Sequence, residues 1–108
     1  MISHNFEAQR KGTYDTFRLG AKGVKLPKQC VIDYIFFIEE LDAKWHLLEK
    51  ALRQEGFTTR RDKDGETLVA SYGPIPVTAE AIWEWERVAT SIALKHDFYP
   101  DGWELAES

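Results

Sequence analysis

The stretch VIDYIFFIE, residues 31–39, decides the fold of this protein because it is the clearest β-strand in the chain. β-branched and aromatic residues dominate it, as they do in strands generally. Side chains of a strand alternate between two faces. One face carries Ile32, Tyr34, Phe36 and Ile38, and the other carries Val31, Asp33, Ile35 and Phe37. Because both faces are largely apolar, the stretch is predicted to be a central strand of a sheet.

Two helices and three more strands are predicted after this strand. A helix can begin at Asp42 and end before Gly56, with apolar residues at helical spacing. Two short strands flank the turn sequence DKDG, residues 62–65, and Thr78 can cap a second helix. A last short strand fits WELA, residues 103–106. The order β-α-β-β-α-β predicts an α+β fold, a ferredoxin-like sandwich whose antiparallel sheet carries two helices on one face.

The length of 108 residues predicts a single domain, residues 1–108. Residues 31–108 form the predicted α+β body. Residues 1–30 show no sustained period and are expected to be an irregular basic segment, extended or loop structure with room for a short helix, and not a separate domain. The net charge is −4, but residues 1–30 carry six basic and two acidic side chains, and the body carries eight basic and sixteen acidic ones. The segment is expected to fold back on the acidic body or to be solvated, and an acidic body makes nucleic acid an unfavoured partner.

The sequence contains no pattern that directs the protein to a membrane. No apolar run resembles a signal peptide, and nowhere do 18 apolar residues follow one another. A cytoplasmic location is therefore predicted, with no membrane partner.

The residues that could take part in catalysis or metal binding are scattered along the chain. No serine stands in a nucleophile elbow, and no glycine-rich loop that cradles phosphate is present. Asp42, His46 and Glu49 share one helix face, which a metal or a small hydrolase could use, although a solvated charged face explains the spacing better. The sequence therefore predicts a protein that is not an enzyme and needs no cofactor.

The second helix has two apolar sides. Trp85 lies on the stripe that faces the core, whereas Trp83, Arg87 and Leu94 lie on the opposite side. Either residues 1–30 cover Trp83, or these three residues bind a partner, since Trp is enriched in binding hot spots.

The second face of the first strand is also open to two interpretations. Ile35 and Phe37 are expected to lie under the N-terminal segment or at a homodimer interface. A different class of function, single-stranded RNA binding, would use Tyr34, Phe36 or Phe37 to stack bases. The third strand lacks the aromatic–glycine signature of RNA-recognition domains, and the body is acidic.

The chain closes with HDFYPDGWELAE, residues 96–107. Residues 99–102, YPDG, fit a type I turn that leads from the second helix into the last strand. Trp103 and Leu105 would then share the inward face of that strand.

This closing segment resembles the end of the regulator of ribonuclease E activity B family, whose members end their domain in a Tyr-Asp-Gly-Trp segment. The matching residues here are Tyr99, Asp101, Gly102 and Trp103, with Pro100 inserted after the tyrosine. PIPVTAEAI, ALRQEGF and GVKLPKQCVIDYIFFIEE fit the same domain, so the resemblance covers about residues 20–105. It implies a small, non-catalytic bacterial protein that binds and inhibits the endoribonuclease ribonuclease E and alters which transcripts it cuts. A protein partner is thus expected, with an endoribonuclease as the first candidate and an unrelated protein as the alternative.

Overall fold

A computed structural model describes residues 4–38, 40 and 42–106 of the chain. Three helices and four strands make up this part. In chain order they are α1 (Phe6–Ala21), β1 (Gln29–Ile38), α2 (Trp45–Gln54), β2 (Thr58–Arg61), β3 (Thr67–Pro76), α3 (Ala79–Leu94) and β4 (Phe98–Leu105).

The four strands form one sheet in the order β2-β3-β1-β4. All three neighbouring pairs are antiparallel. β1 pairs with β3 on one side and β4 on the other, so its predicted central position is confirmed. The α+β class and the antiparallel sheet are confirmed as well. The ferredoxin-like assignment stays a prediction, and the structure has three helices where two were expected.

The core lies between one face of the sheet and the helices. Tyr34 and Phe36 of β1 are 0% and 1% exposed, and they pack with side chains of α2, α3 and β3. The Tyr34 hydroxyl donates a 2.8 Å hydrogen bond to the Ile82 carbonyl, which ties β1 to α3. Burying one such side chain is worth about 1.5–3 kcal/mol.

Two helix ends follow their predicted signals, and one does not. Thr78 precedes α3, and its hydroxyl accepts a 3.1 Å hydrogen bond from the Ala81 amide, as expected of an N-cap. Gly56 follows α2 with φ +95°, the conformation that favours glycine after a helix. The predicted cap at Asp42 is wrong, because α2 begins after Lys44, whose side chain makes no capping bond.

The prediction of an irregular segment over residues 1–30 is wrong for residues 6–21, which form the helix α1. The Asn5 side chain caps it by accepting a 3.0 Å hydrogen bond from the Ala8 amide. α1 packs against α3, so this basic segment does fold back on the acidic body. β1 also begins at Gln29, two residues before the predicted strand.

The predicted turn at residues 99–102 is wrong as well, because these residues lie inside β4. The chain reverses earlier, at Asp97, whose φ of +65° is in the left-handed region. Trp103 and Leu105 are half-buried and pack against the core, which confirms their inward orientation. Within the described residues, no helix has the length and apolar character to span a bilayer.

Candidate partner-binding groove

The Asp-Gly pair of β4 forms a β-bulge. Tyr34 pairs with Trp103 and Phe36 pairs with Pro100, so Asp101 and Gly102 both lie opposite Ile35. The extra residue on β4 interrupts the ladder of hydrogen bonds and turns the strand locally. Gly102 has φ +108°, a conformation that residues with a side chain rarely adopt. The bulge therefore explains why glycine stands at this position.

A groove of about 600 Å³ lies beside the bulge. One wall comes from α1, the other from the β4 residues Pro100 to Trp103, and α3 contributes Glu86. Ile35, the residue opposite the bulge, also borders it. The groove thus joins residues of four elements, α1, β1, α3 and β4.

Glu86 is the buried charged residue of this groove, with 3% of its surface exposed. Its carboxylate accepts a hydrogen bond from the Thr13 hydroxyl and a 3.2 Å bond from the Gln9 side-chain amide. The same Gln9 amide donates a 3.0 Å bond to the Thr90 hydroxyl, and its carbonyl lies 2.6 Å from the His4 ring nitrogen Nε2. These contacts fix α1 on α3 by polar groups.

Burial raises the pKa of the Glu86 carboxyl above its ordinary value. Loss of hydration penalises the charged form, and the hydrogen bonds from Thr13 and Gln9 and the nearby His4 offset only part of that penalty. The pKa of the Tyr34 hydroxyl is raised too, first by burial and then by the charge of Glu86. The charge of Glu86 therefore reaches the Tyr34 hydroxyl in the core.

A known protein family matches nearly all of the helices and strands described above. The sequence profile of the family described as regulator of ribonuclease activity B matches residues 13–105. The chain belongs to this family. The match begins within α1 and ends at the last residue of β4, so it contains Thr13, Glu86 and the Asp101–Trp103 bulge of the groove. No curated protein matches the sequence closely enough to serve as a named relative.

The family signature is divided between two surfaces. Asp101, Gly102 and Trp103 line the groove. Tyr99 instead lies on the sheet face away from the core, where its ring is 5.9 Å from that of Phe37. Phe37 and Ile35 are half-buried, and Ile35 also borders the groove that α1 lines. Cover of this pair by the N-terminal segment and a homodimer interface both stay predictions.

The three candidate residues of α3 have different surroundings. Trp83 is 9% exposed and lies one turn before Glu86, on the side of α3 where α1 packs. Arg87 is exposed, and Leu94 is half-buried. Partner binding by these residues stays a prediction, and the buried Trp83 presents little surface for it.

The RNA-binding interpretation and the metal or hydrolase interpretation can each be compared with the surroundings of their residues. Tyr34 and Phe36 belong to the core, so the prediction that they stack RNA bases is wrong, and Phe37 alone of that set is partly exposed. The His46 side chain is 93% exposed and lies 3.8 Å from Glu49 Oε1. Glu49 is instead held by Arg61 through bonds of 2.8 and 3.2 Å, which lower the pKa of its carboxyl. His46 therefore lies on an open helix surface, and the described residues contain no cluster of three metal-binding side chains.

Sequence patterns identified only part of the groove. The family resemblance points to the bulge residues, whereas no pattern in the sequence analysis points to Gln9, Thr13 or Glu86. Gln9 and Thr13 are four residues apart, which places them on one face of a helix. A search for polar residues at helical spacing, in place of apolar ones, would have found this pair.

Proposed function

We propose that this protein regulates an endoribonuclease of the ribonuclease E type by binding to it, without catalysing a reaction itself. The observation that carries the proposal is the family match over residues 13–105, which spans the sheet, α2, α3 and most of α1. Family members act as regulators of ribonuclease activity, and the groove contains hydrogen-bonding and charged groups suited to recognising a protein. We also place this action in the bacterial cytoplasm, as the family resemblance implies.

The charge distribution supports a protein partner with a basic surface. The net charge is −4, and residues 31–108 carry −8. The hairpin between β2 and β3 presents Asp62, Asp64 and Glu66 at the end of the sheet where β1 ends, and Glu40 follows β1 there. Arg60, Arg61 and Lys63 lie beside these carboxylates, so the surplus of negative charge at this end is small. The charge of −8 over residues 31–108 as a whole disfavours RNA and favours the basic regions with which a ribonuclease holds RNA. Binding would then compete with RNA for the same region of the enzyme.

A binding measurement with the purified endoribonuclease tests this proposal. The full chain is titrated against ribonuclease E by isothermal titration calorimetry at low and at moderate salt, and cleavage of a defined transcript is followed in parallel. We expect saturable binding, weaker at moderate salt, and slower cleavage in proportion to occupancy. Absence of binding at both salt concentrations would overturn the assignment.

A further inference from the structure

We propose that the groove between α1 and the β4 bulge is a receptor for a basic side chain, arginine or lysine, presented by the protein partner. The source of that side chain rests on the proposed function. The groove and its preference for a cation are argued independently, from the residues that line it.

The charges of the groove favour a cation. Glu86 and Asp101 line it, and neither Lys nor Arg is among its lining residues. His4 is the one lining residue that can carry a positive charge. A phosphate would meet carboxylates without a strong cation to receive it, whereas a guanidinium or ammonium group would find acceptors.

The other lining residues provide surfaces for the charged head and the methylene stem of an arginine or lysine side chain. Trp103 is half-buried at the wall of the groove, and an indole ring attracts a cation over its face. Pro100 and Ile35 add apolar surface near the bulge. The long methylene stems of Arg and Lys pack along such surface while the charged head reaches polar groups.

Gly12 keeps the groove open on the side of α1. It lies inside a helix of 16 residues, where glycine is less favourable than alanine. A Cβ atom built on it meets no atom within 4 Å, and the residue lines the groove. A Cβ at this position therefore meets no neighbouring atom, and a longer side chain would stand at the wall of the groove. Gly12, which is unfavourable for a helix, thus lies where a side chain would fill the proposed receptor.

Glu86 gives the receptor a fixed carboxyl group. Thr13 and Gln9 hold both oxygens, and each carboxylate oxygen can accept a second bond. A bound cation would favour the ionised form, so binding should strengthen as the pH rises through the range in which this carboxyl titrates. The titratable or polar groups that face the carboxyl are His4, Gln9, Thr13, Tyr34 and Thr90.

The direct test uses N-acetyl-arginine amide as the probe and nuclear magnetic resonance of the ¹⁵N-labelled protein as the measurement. We expect saturable shifts of the Gly12 and Gly102 amides and of the Trp103 indole. N-acetyl-citrulline amide, which has the same shape without the charge, should cause none. Equal shifts with both probes, or no shifts with either, would overturn the proposal.

Two glycine variants of α1 separate blockage of the groove from effects on the helix. Gly12→Leu should abolish the arginine-induced shifts and weaken ribonuclease binding by about tenfold or more, the loss of one well-placed anchor. Gly20→Leu makes the same change in the same helix, where a Cβ also meets no atom within 4 Å, but at a neighbouring pocket that shares Trp103 with the groove. It should leave the arginine-induced shifts of the Gly12 and Gly102 amides and the ribonuclease binding unchanged. Arginine-induced shifts of Gly12→Leu equal to those of the wild type would overturn the proposal.

Asp101→Asn provides a second variant, because Asp101 is exposed and the change preserves size. We expect weaker arginine binding without loss of stability, and unchanged binding would contradict the role of the charge. The two proposals fail separately. If the protein binds ribonuclease E and Gly12→Leu binds it equally well, the receptor is rejected and the function stands. If it binds arginine amide in the groove but not the ribonuclease, the receptor stands and the function is rejected.

Discussion

At the scale of single residues, the two glycines beside the groove, Gly12 and Gly102, differ in backbone conformation. Gly102 has φ +108°, which a side chain strains, whereas Gly12 has ordinary helical geometry, and an added Cβ meets no atom within 4 Å at either site. Both sites therefore have room for a Cβ atom, and they differ in backbone conformation. The family signature requires glycine at the bulge for backbone reasons, whether or not a partner contacts it.

This contrast gives a prediction for alanine substitutions. Gly102→Ala should lower the free energy of unfolding by about 1–3 kcal/mol, the cost of an unfavourable φ. Gly12→Ala should raise it by about 0.5–1 kcal/mol, because alanine is the better helix former. Urea unfolding of both variants beside the wild type measures the two changes. Shifts of the same sign would contradict this account of the bulge.

The buried carboxyl of Glu86 makes stability depend on pH. Its pKa is raised in the folded state, so the folded protein holds this proton more tightly than the unfolded chain does. Its contribution is therefore fully present below the ordinary value of 4.5 and is lost as the pH rises through the folded value.

Glu86→Gln removes this titration while preserving size. The stability of the variant relative to the wild type should increase as the pH rises above about 4.5, since only the wild type must ionise a buried group. Urea unfolding of both proteins between about pH 4 and pH 8 measures the difference. Two curves that run parallel over this range would show that Glu86 does not titrate differently in the folded state.

At the scale of elements, the sequence predicts those whose buried side chains are apolar. β1 and α3 present apolar residues at strand and helix spacing, and both were located closely. α1 was not, because Gln9 and Thr13 face α3 through hydrogen bonds to Glu86, and a search for apolar periodicity does not register them. β4 was predicted too short, because Pro100 and the Asp101–Gly102 pair are typical of turns, and here a bulge accommodates them.

Because polar contacts attach α1 to α3, the stability of the protein should be sensitive to the loss of a single hydrogen-bond donor in α1. Thr13→Val keeps the shape of the side chain but leaves the buried carboxylate of Glu86 one donor short. It should lower the free energy of unfolding by about 1–3 kcal/mol. Thr16→Val is the matched control, because Thr16 lies in the same helix and is exposed. Thermal or urea unfolding measures both, and equal effects would contradict a specific role for the Thr13 hydroxyl.

At the scale of the whole molecule, acidic side chains from distant parts of the sequence meet at one end of the sheet. Asp62, Asp64 and Glu66 of the β2–β3 hairpin lie there with Glu40, whereas α1 packs on α3. Of the charge pattern, the sequence predicted the imbalance, and it left open whether the basic segment folds back on the body or is solvated. It did not predict where the acidic groups meet, because pairing of distant strands determines that.

This arrangement predicts how salt affects association with the ribonuclease. Raising the salt concentration from about 50 to about 300 mM should slow association by about tenfold or more and change dissociation little, because screened charges steer encounter more than they hold the complex. Biolayer interferometry at several salt concentrations separates the two rates. A salt effect confined to dissociation would contradict electrostatic steering.

The bulge in β4 has one more consequence, for solubility. β4 and β2 are the two edge strands of the sheet, and an unprotected edge invites copies of a protein to add strands to one another. Along β4, Pro100 has no amide hydrogen to donate, and the bulge disrupts the row of free backbone groups at the next two residues. β2 is four residues long and ends in Arg60 and Arg61. Neither edge therefore presents a long regular template to which another copy of the protein could add a strand.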